Sequence, residues 1–270
     1  MEKAGVRIAD AAMLEFCGRT MQIDSPDDNA AALRAALDAH FAPTDGLVTT
    51  DEPVVPRVFI SDMDSTMIGQ ECIDELGDFA GLKERIAAIT ERAMQGELDF
   101  EQALRERVGL LEGLGTEAIT QCLSTRIQPM PGARILVETL KKLGCRTVLV
   151  TGGFHHFADP VAEQLGFEHV VGNRLDVAGG KLTGGLNGPI VDSAVKKATL
   201  LAEIDAAGEG VTTLATGDGA NDIPMLEAAT YGIAYHAKPK ARAAANGWID
   251  RGDLTSVLRL LGIPEKDWVR

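Results

Sequence analysis

Ser61-Asp62-Met63-Asp64-Ser65-Thr66 directly follows the apolar run Val58-Phe59-Ile60. The run reads as a short buried strand, so the two aspartates stand at its C-terminal end with one residue between them. Two carboxylates held that close repel strongly unless something offsets their charge. A hard divalent cation does so through oxygen ligands, and a proton retained on one carboxylate does so as well. Both remedies serve phosphoryl transfer. An Asp pair after a strand can also simply cap a helix or close a turn, so the partner motifs downstream decide.

Outward from this stretch the pattern is alternating α/β. Predicted helices span Gly132 to Lys142, His155 to Leu165, Asp192 to Ala206, Asn221 to Ala229 and Asp253 to Leu261. Predicted strands span Arg146 to Thr151, Val211 to Gly217 and Ile233 to Tyr235, and the glycine-rich Val170 to Ile190 reads as hairpins. Strands alternating with helices predict a Rossmann-like parallel sheet flanked by helices, which binds ligands beyond the C-terminal strand ends. Residues 71–128 break this pattern. Ile73, Leu76, Phe79 and Ala80 share one helical face, Leu104, Val108 and Leu111 another, and Gly77, Gly81, Gly96, Gly113 and Gly115 punctuate them. They read as a small helical bundle inserted as a cap after the first core strand.

Ahead of the core, residues 1–55 read as a small segment and linker of unassigned role. Asn29 to Phe41 has helical spacing behind Ser25-Pro26-Asp27, and Val6 to Ile8 and Met21 to Ile23 read as short strands. Residues 56–70 and 129–270 form the expected core.

Two further motifs sit where such a sheet binds ligands, and a lysine lies near a helix start. Thr151-Gly152-Gly153-Phe154 ends a strand, and a hydroxyl followed by two glycines leaves backbone N–H groups for an anion. Gly217-Asp218-Gly219-Ala220-Asn221-Asp222 ends another, with Asp218 and Asp222 four apart and able to join the early aspartates around a cation. Lys196 lies near a helix start, with Lys197 beside it as the competing cation.

The chain has 270 residues, 45% hydrophobic and 24% charged, enough to bury a large core. A net charge of −14 argues against nucleic-acid or anionic-membrane partners. Cys17, Cys72, Cys122 and Cys145 form no CxxC pair and read as free buried thiols. The start, Met1 to Gly5, has no signal-peptide pattern and no run reaches membrane length, so a cytoplasmic location is expected.

Taken in order, DxD, a Thr, a Lys and GDxxxD resemble the haloacid dehalogenase-like superfamily over residues 57 to 240. SDMDSTMIGQECIDELG, the stretch Arg107-Val108-Gly109-Leu110-Leu111, PMPGA, TGGF and GDGANDIPML are similar to its phosphoserine phosphatase family. Thr151 stands where that family usually has Ser, which keeps the hydroxyl and adds a methyl. The resemblance implies Asp62 as nucleophile, Asp64 as general acid and base, and Mg2+ held by Asp62, the Asp64 carbonyl and Asp218, with Asp222 behind. It implies Thr151, Gly152, Lys196 and Asn221 on the phosphate, Glu71 on an ammonium and Arg107 on a carboxylate. The implied reaction is hydrolysis of O-phospho-L-serine, closing serine biosynthesis. The implied partner is a small-molecule substrate, and a homodimer is left open. A phosphotransferase passing phosphate from phosphoserine to homoserine, and a non-catalytic aspartyl-phosphate receiver, are the alternative readings.

Overall fold

In a computed structural model the described residues are 5–18, 20–27, 29–94 and 97–270. Gly96 and residues 1–4 therefore lie outside the described residues. The first elements are β1 (Asp10–Leu14), β2 (Thr20–Asp24), α1 (Ala30–Phe41), β3 (Asp45–Leu47) and β4 (Val58–Ser61). Four helices follow: α2 (Cys72–Phe79), α3 (Lys83–Met94), α4 (Phe100–Gly109) and α5 (Glu117–Thr125). Next come α6 (Ala133–Lys142), β5 (Arg146–Phe154), α7 (His155–Leu165), β6 (His169–Asn173), β7 (Leu175–Ala178) and β8 (Lys181–Leu186). The chain closes with α8 (Ser193–Ala207), β9 (Thr213–Gly217), α9 (Ile223–Ala228), β10 (Tyr231–Tyr235), α10 (Pro239–Ala244), β11 (Gly247–Ile249) and α11 (Thr255–Leu260).

Seven strands form the main sheet in the order β3-β11-β10-β9-β4-β5-β6. All its pairings are parallel except β3 on β11. Alternation along β4 explains the two layers. Phe59 faces one apolar core with Leu136, Leu140 and Leu258, while Val58 and Ile60 face the other with Leu200, Met225 and Leu226. Each fully buried aliphatic side chain contributes roughly 1.5–3 kcal/mol. Strand β4 is central, and the chain leaves it toward β5 on one side and β9 on the other. A crevice opens at such a reversal, beyond the strand ends.

The four helices after β4 are held at a paired stem. Ile68 bridges Pro129, the Met130 N–H donates to the Met67 carbonyl at 2.9 Å, and the Gly69 N–H donates to the Gln128 carbonyl at 3.1 Å. Helix α4 begins at a capping box, Asp99 accepting from the Gln102 N–H at 2.8 Å. The β7–β8 hairpin, legible only as a glycine-rich stretch, reaches across to this layer. The Gly113 N–H donates to the Leu182 carbonyl at 2.8 Å, and the Leu182 N–H returns to Leu114 at 2.9 Å.

Several expectations shift. Val6 to Ile8 is not a strand. The hairpin instead pairs Asp10 with Asp24 through Leu14 with Thr20, and Cys17 between the two strands is buried. Helix α1 starts one residue past its expected start, where the Asn29 side chain accepts from the Ala32 N–H at 3.0 Å. Residues 170–190 hold only one hairpin, since β6 joins the main sheet beside β5. The predicted helix from Asn221 is a 3-10 turn, Ala220–Asp222, followed by α9. Strand β5 runs on to Phe154 through an irregularity after Val150, so the Thr151-Gly152-Gly153 motif lies in a bulge rather than past the strand. The four cysteines are free and buried. Among the described residues no helix is long and apolar enough to cross a membrane.

Candidate active site

Strand ends assemble the site. Asp62 follows β4, Thr151 lies in the β5 bulge, and Asp218 follows β9. The Asp62 N–H donates to the Thr216 carbonyl at 2.9 Å, so the neighbouring strand fixes the backbone that carries this carboxylate. Asp62 Oδ1 accepts from the Met63 N–H at 2.7 Å and lies 2.8 Å from Lys196 Nζ. The same ammonium donates to Asp222 Oδ1 at 2.7 Å. Lys196 is buried and Lys197 is exposed, which separates the two candidates. The selection is made by Asp192, whose side chain accepts from the Val195 N–H at 2.9 Å and starts α8 one turn before Lys196.

Asp222 is fully buried and both its oxygens are engaged. Its Oδ2 accepts from the Asp218 and Gly219 N–H groups at 3.2 and 3.0 Å. Gly217 makes room for it: a Cβ there would lie 2.5 Å from the Asp222 Cγ. Asp62, Asp218 and Asp222 each offer a carboxylate oxygen within 4.8 Å of the others, all three buried. An all-oxygen set of this kind fits a hard divalent cation.

Burial raises Asp62 well above the ordinary carboxylate value, Asp222 adds to this, and Lys196 opposes it. For Lys196, burial acts against the charge but is outweighed by Asp62 and Asp222, so the ammonium is raised and stays protonated. Burial, with the nearby Glu71 charge, pushes Asp64 up to about 7. Its Oδ1 is buried without a hydrogen-bond partner, which leaves it open to an incoming polar group.

The Thr151 hydroxyl accepts from the Gly153 N–H at 2.8 Å and keeps its own proton to donate. Asn173 holds the next peptide, donating to the Gly152 carbonyl at 2.8 Å and accepting from the Val191 N–H at 2.9 Å. No sequence signal marked Asn173, because it acts from β6 across twenty residues. Gly152 and Gly153 are needed for close approach. A Cβ at 152 would crowd Phe100 of α4 at 3.3 Å, and one at 153 would meet Asp64 Oδ2 at 3.1 Å.

A cavity of about 250 Å3 is lined by Asp62, Asp64, Thr151, Gly152, Asp218 and Asn221 from the sheet side, and by Glu71 and Arg107 from the helices. The Ser65 hydroxyl, on a residue with φ of 53°, donates to Glu71 Oε1 at 2.7 Å. Arg107 Nε donates to the Ala103 carbonyl at 3.2 Å, and burial lowers the guanidinium from its ordinary value against the pull of Asp74 and Glu71. All eight of these expected site residues line one cavity, with Lys196 and Asp222 directly behind Asp62. Lys238, which the sequence did not single out, lines it too, 3.6 Å from Asp218. A larger groove of about 520 Å3 between α5 and α7 is lined by Ile119, Leu123, Val161 and others and contains none of the motif residues.

The family model described as haloacid dehalogenase-like hydrolase matches residues 59–227. A phosphoserine phosphatase of Archaeoglobus fulgidus is 42% identical over 211 residues, 77% of this chain and 60% of that protein. The chain thus spans less than two thirds of that relative. A phosphoserine phosphatase of Saccharomyces cerevisiae is 36% identical over 270 residues, 98% of this chain and 85% of the yeast protein. A solved structure, a phospho-aspartyl intermediate analogue of phosphoserine phosphatase, superposes with a TM-score of 0.68 at 38% identity, covering 76% of this chain and 98% of that one. The chain belongs to the haloacid dehalogenase-like hydrolases, alongside their phosphoserine phosphatase members.

Proposed function

We propose that the chain is a Mg2+-dependent phosphoserine phosphatase that hydrolyses O-phospho-L-serine to L-serine and phosphate, closing serine biosynthesis. The observation that carries this reading is one cavity joining the Asp62–Asp64 pair to Glu71 and Arg107. Phosphoserine has three handles. Its phosphate suits Thr151, Gly152, Lys196 and Asn221, its carboxylate suits the planar Arg107 guanidinium, and its ammonium suits Glu71.

Asp62 attacks phosphorus, and the serine oxygen leaves as the aspartyl-phosphate forms. Asp64 gives that oxygen its proton, then takes one from the water that attacks the phosphorylated Asp62 and restores the free carboxylate. Its raised affinity for a proton supports the donor half of this cycle. Lys196 pairs with Asp62 against the burial that raises its affinity for a proton, so that Asp62 attacks as a carboxylate, and it offsets the charge spreading over the phosphoryl oxygens. In this reading Asp62, the Asp64 carbonyl and Asp218 hold the cation. Asp222 stays behind them, since both its oxygens are already engaged. When bound, Mg2+ lessens the repulsion between the carboxylate and the phosphate.

Residues 71–128 act here as the specificity cap, 56–70 and 129–270 as the hydrolase core, and residues 1–55 as an appended segment whose β3 adds an edge strand to the core sheet. The reaction is assigned to the cytoplasm, free of nucleic acid and membrane, which the net charge of −14 supports. A panel of phosphorylated metabolites assayed with Mg2+ and with EDTA tests the proposal. Phosphoserine is expected to stand out, and chelation to stop turnover. Turnover that survives EDTA, or phosphohomoserine as the main product when homoserine is added, overturns it.

A further inference from the structure

Lys238 comes to the site by a constrained route. Ala234 of β10 pairs with Gly217 of β9, so the end of β10 lies beside Asp218. The chain then turns at His236, whose φ of 42° is unusual for a residue with a side chain. The turn is pinned at both ends: the His236 N–H donates to the Ile249 carbonyl at 2.9 Å, and the Lys238 N–H donates to the Asp218 carbonyl at 2.9 Å. The Lys238 ammonium then stands 3.6 Å from Asp218 Oδ2, on a side chain 71% exposed. The other cations of the site are committed elsewhere. Lys196 is buried between Asp62 and Asp222, and Arg107 donates to its own helix.

Resting on the reading above that Asp62 and Asp218 hold a divalent cation, we infer that Lys238 is a built-in counter-charge which competes with that cation for Asp218. It lowers the affinity of the site for the metal. The physics is simple repulsion. A carboxylate shared with an ammonium attracts a second cation less, and the cation must displace the lysine or bear its charge nearby. The pair is exposed on the lysine side, so the effect is modest and screened by salt. Exposed pairs of this sort imply roughly a two- to fivefold change in Kd.

Calorimetric titration of the full chain with Mg2+ alone tests this, on wild type and on the Lys238→Gln, Lys238→Arg and Lys240→Gln variants. Lys240 is exposed two residues away, so its variant carries the same change in net charge. Lys238→Gln is expected to bind Mg2+ two- to fivefold more tightly at low salt, with the gain shrinking as salt is added. Lys238→Arg and Lys240→Gln are expected to match wild type. Unchanged or weaker binding by Lys238→Gln, or an equal gain in Lys240→Gln, overturns the inference while leaving the phosphatase reading intact. A wild-type chain that takes up no Mg2+ overturns both.

Discussion

Among single residues, Arg107 is the one for which the proposed role is recognition alone, apart from the chemistry. It lies on the helical side of the cavity, away from the Asp62–Lys196–Asp222 cluster. Arg107→Ala is expected to raise KM for phosphoserine at least tenfold, as loss of a charge-assisted bidentate partner costs about 1.5–3 kcal/mol. Turnover of an aryl phosphate, which has no carboxylate to clamp, is expected to stay within about twofold of wild type. Equal loss on both substrates means that Arg107 supports the helix rather than the ligand. Asp62, Thr151 and Asp218 were legible because each follows an apolar run, whereas Glu71 and Arg107 came from the family resemblance alone. Val58 to Ile60 points to Asp62, Val148 to Val150 to Thr151, and Leu214 and Ala215 to Asp218. Asn173 and Lys238 were not legible. Each enters through a contact between neighbouring strands whose residues lie about twenty apart in the chain, and neither stands in a local pattern that differs from an ordinary polar loop. Lys196 was preferred to Lys197 through the resemblance alone, because the two side chains lie about 100° apart on the helix and the residues around them do not say which one turns inward.

Among elements, the β7–β8 hairpin is bonded to the helical layer. Leu182 is 2% exposed, and its backbone bonds to both Gly113 and Leu114 in the loop between α4 and α5. Leu182→Ala removes a buried side chain and is expected to cost about 2–4 kcal/mol. Hydrogen exchange is expected to speed up in residues 104–116 more than in β4 and β9. A uniform increase across the chain means that the hairpin does not brace the layer selectively. The hairpin's docking escaped the sequence because glycines at 179, 180, 184 and 185 announce turns without naming what the turns touch. Short strands escaped for a different reason. Asp45–Leu47 and Gly247–Ile249 are three residues each, too few to show a period. Their pairing depends on Trp248, over which Gly46 passes so closely that a Cβ would lie 2.6 Å from the indole.

Across the whole molecule, the leading segment is joined to the core sheet rather than hanging from it. The Arg34 guanidinium stacks over Trp248 at 4.6 Å and donates to the Ala245 and Arg242 carbonyls, while Arg242 covers the same indole at 5.1 Å. Arg242 also pairs with Asp38 at 2.7 Å and Asp250 at 2.8 Å. The hydrogen bond from Arg242 holds Asp38 below the ordinary carboxylate value. Folded Asp38 therefore keeps its charge to lower pH than the unfolded chain does. Its stabilisation is present above about pH 4 and fades as the pH falls through the depressed value. Asp38 is 36% exposed, so the contribution is about 1 kcal/mol or less, a few degrees in Tm. Melting curves of wild type and Asp38→Asn are expected to differ at pH 7, to start converging below about pH 4 and to meet only below the depressed value of Asp38. A gap that does not change with pH means that Asp38 acts through packing alone.

The shielded cysteines give each region its own reporter. Cys17 lies where the first hairpin meets the C-terminal turn, near Glu265 and Arg259. Cys72 and Cys122 lie in the inserted helices, and Cys145 lies just before β5. A thiol-labelling reagent followed by mass mapping thus times the opening of each region separately, with no probe engineered into the chain. Mg2+ or phosphoserine should slow labelling of Cys72, which follows Glu71 at the cavity rim, while Cys17 keeps its own pace.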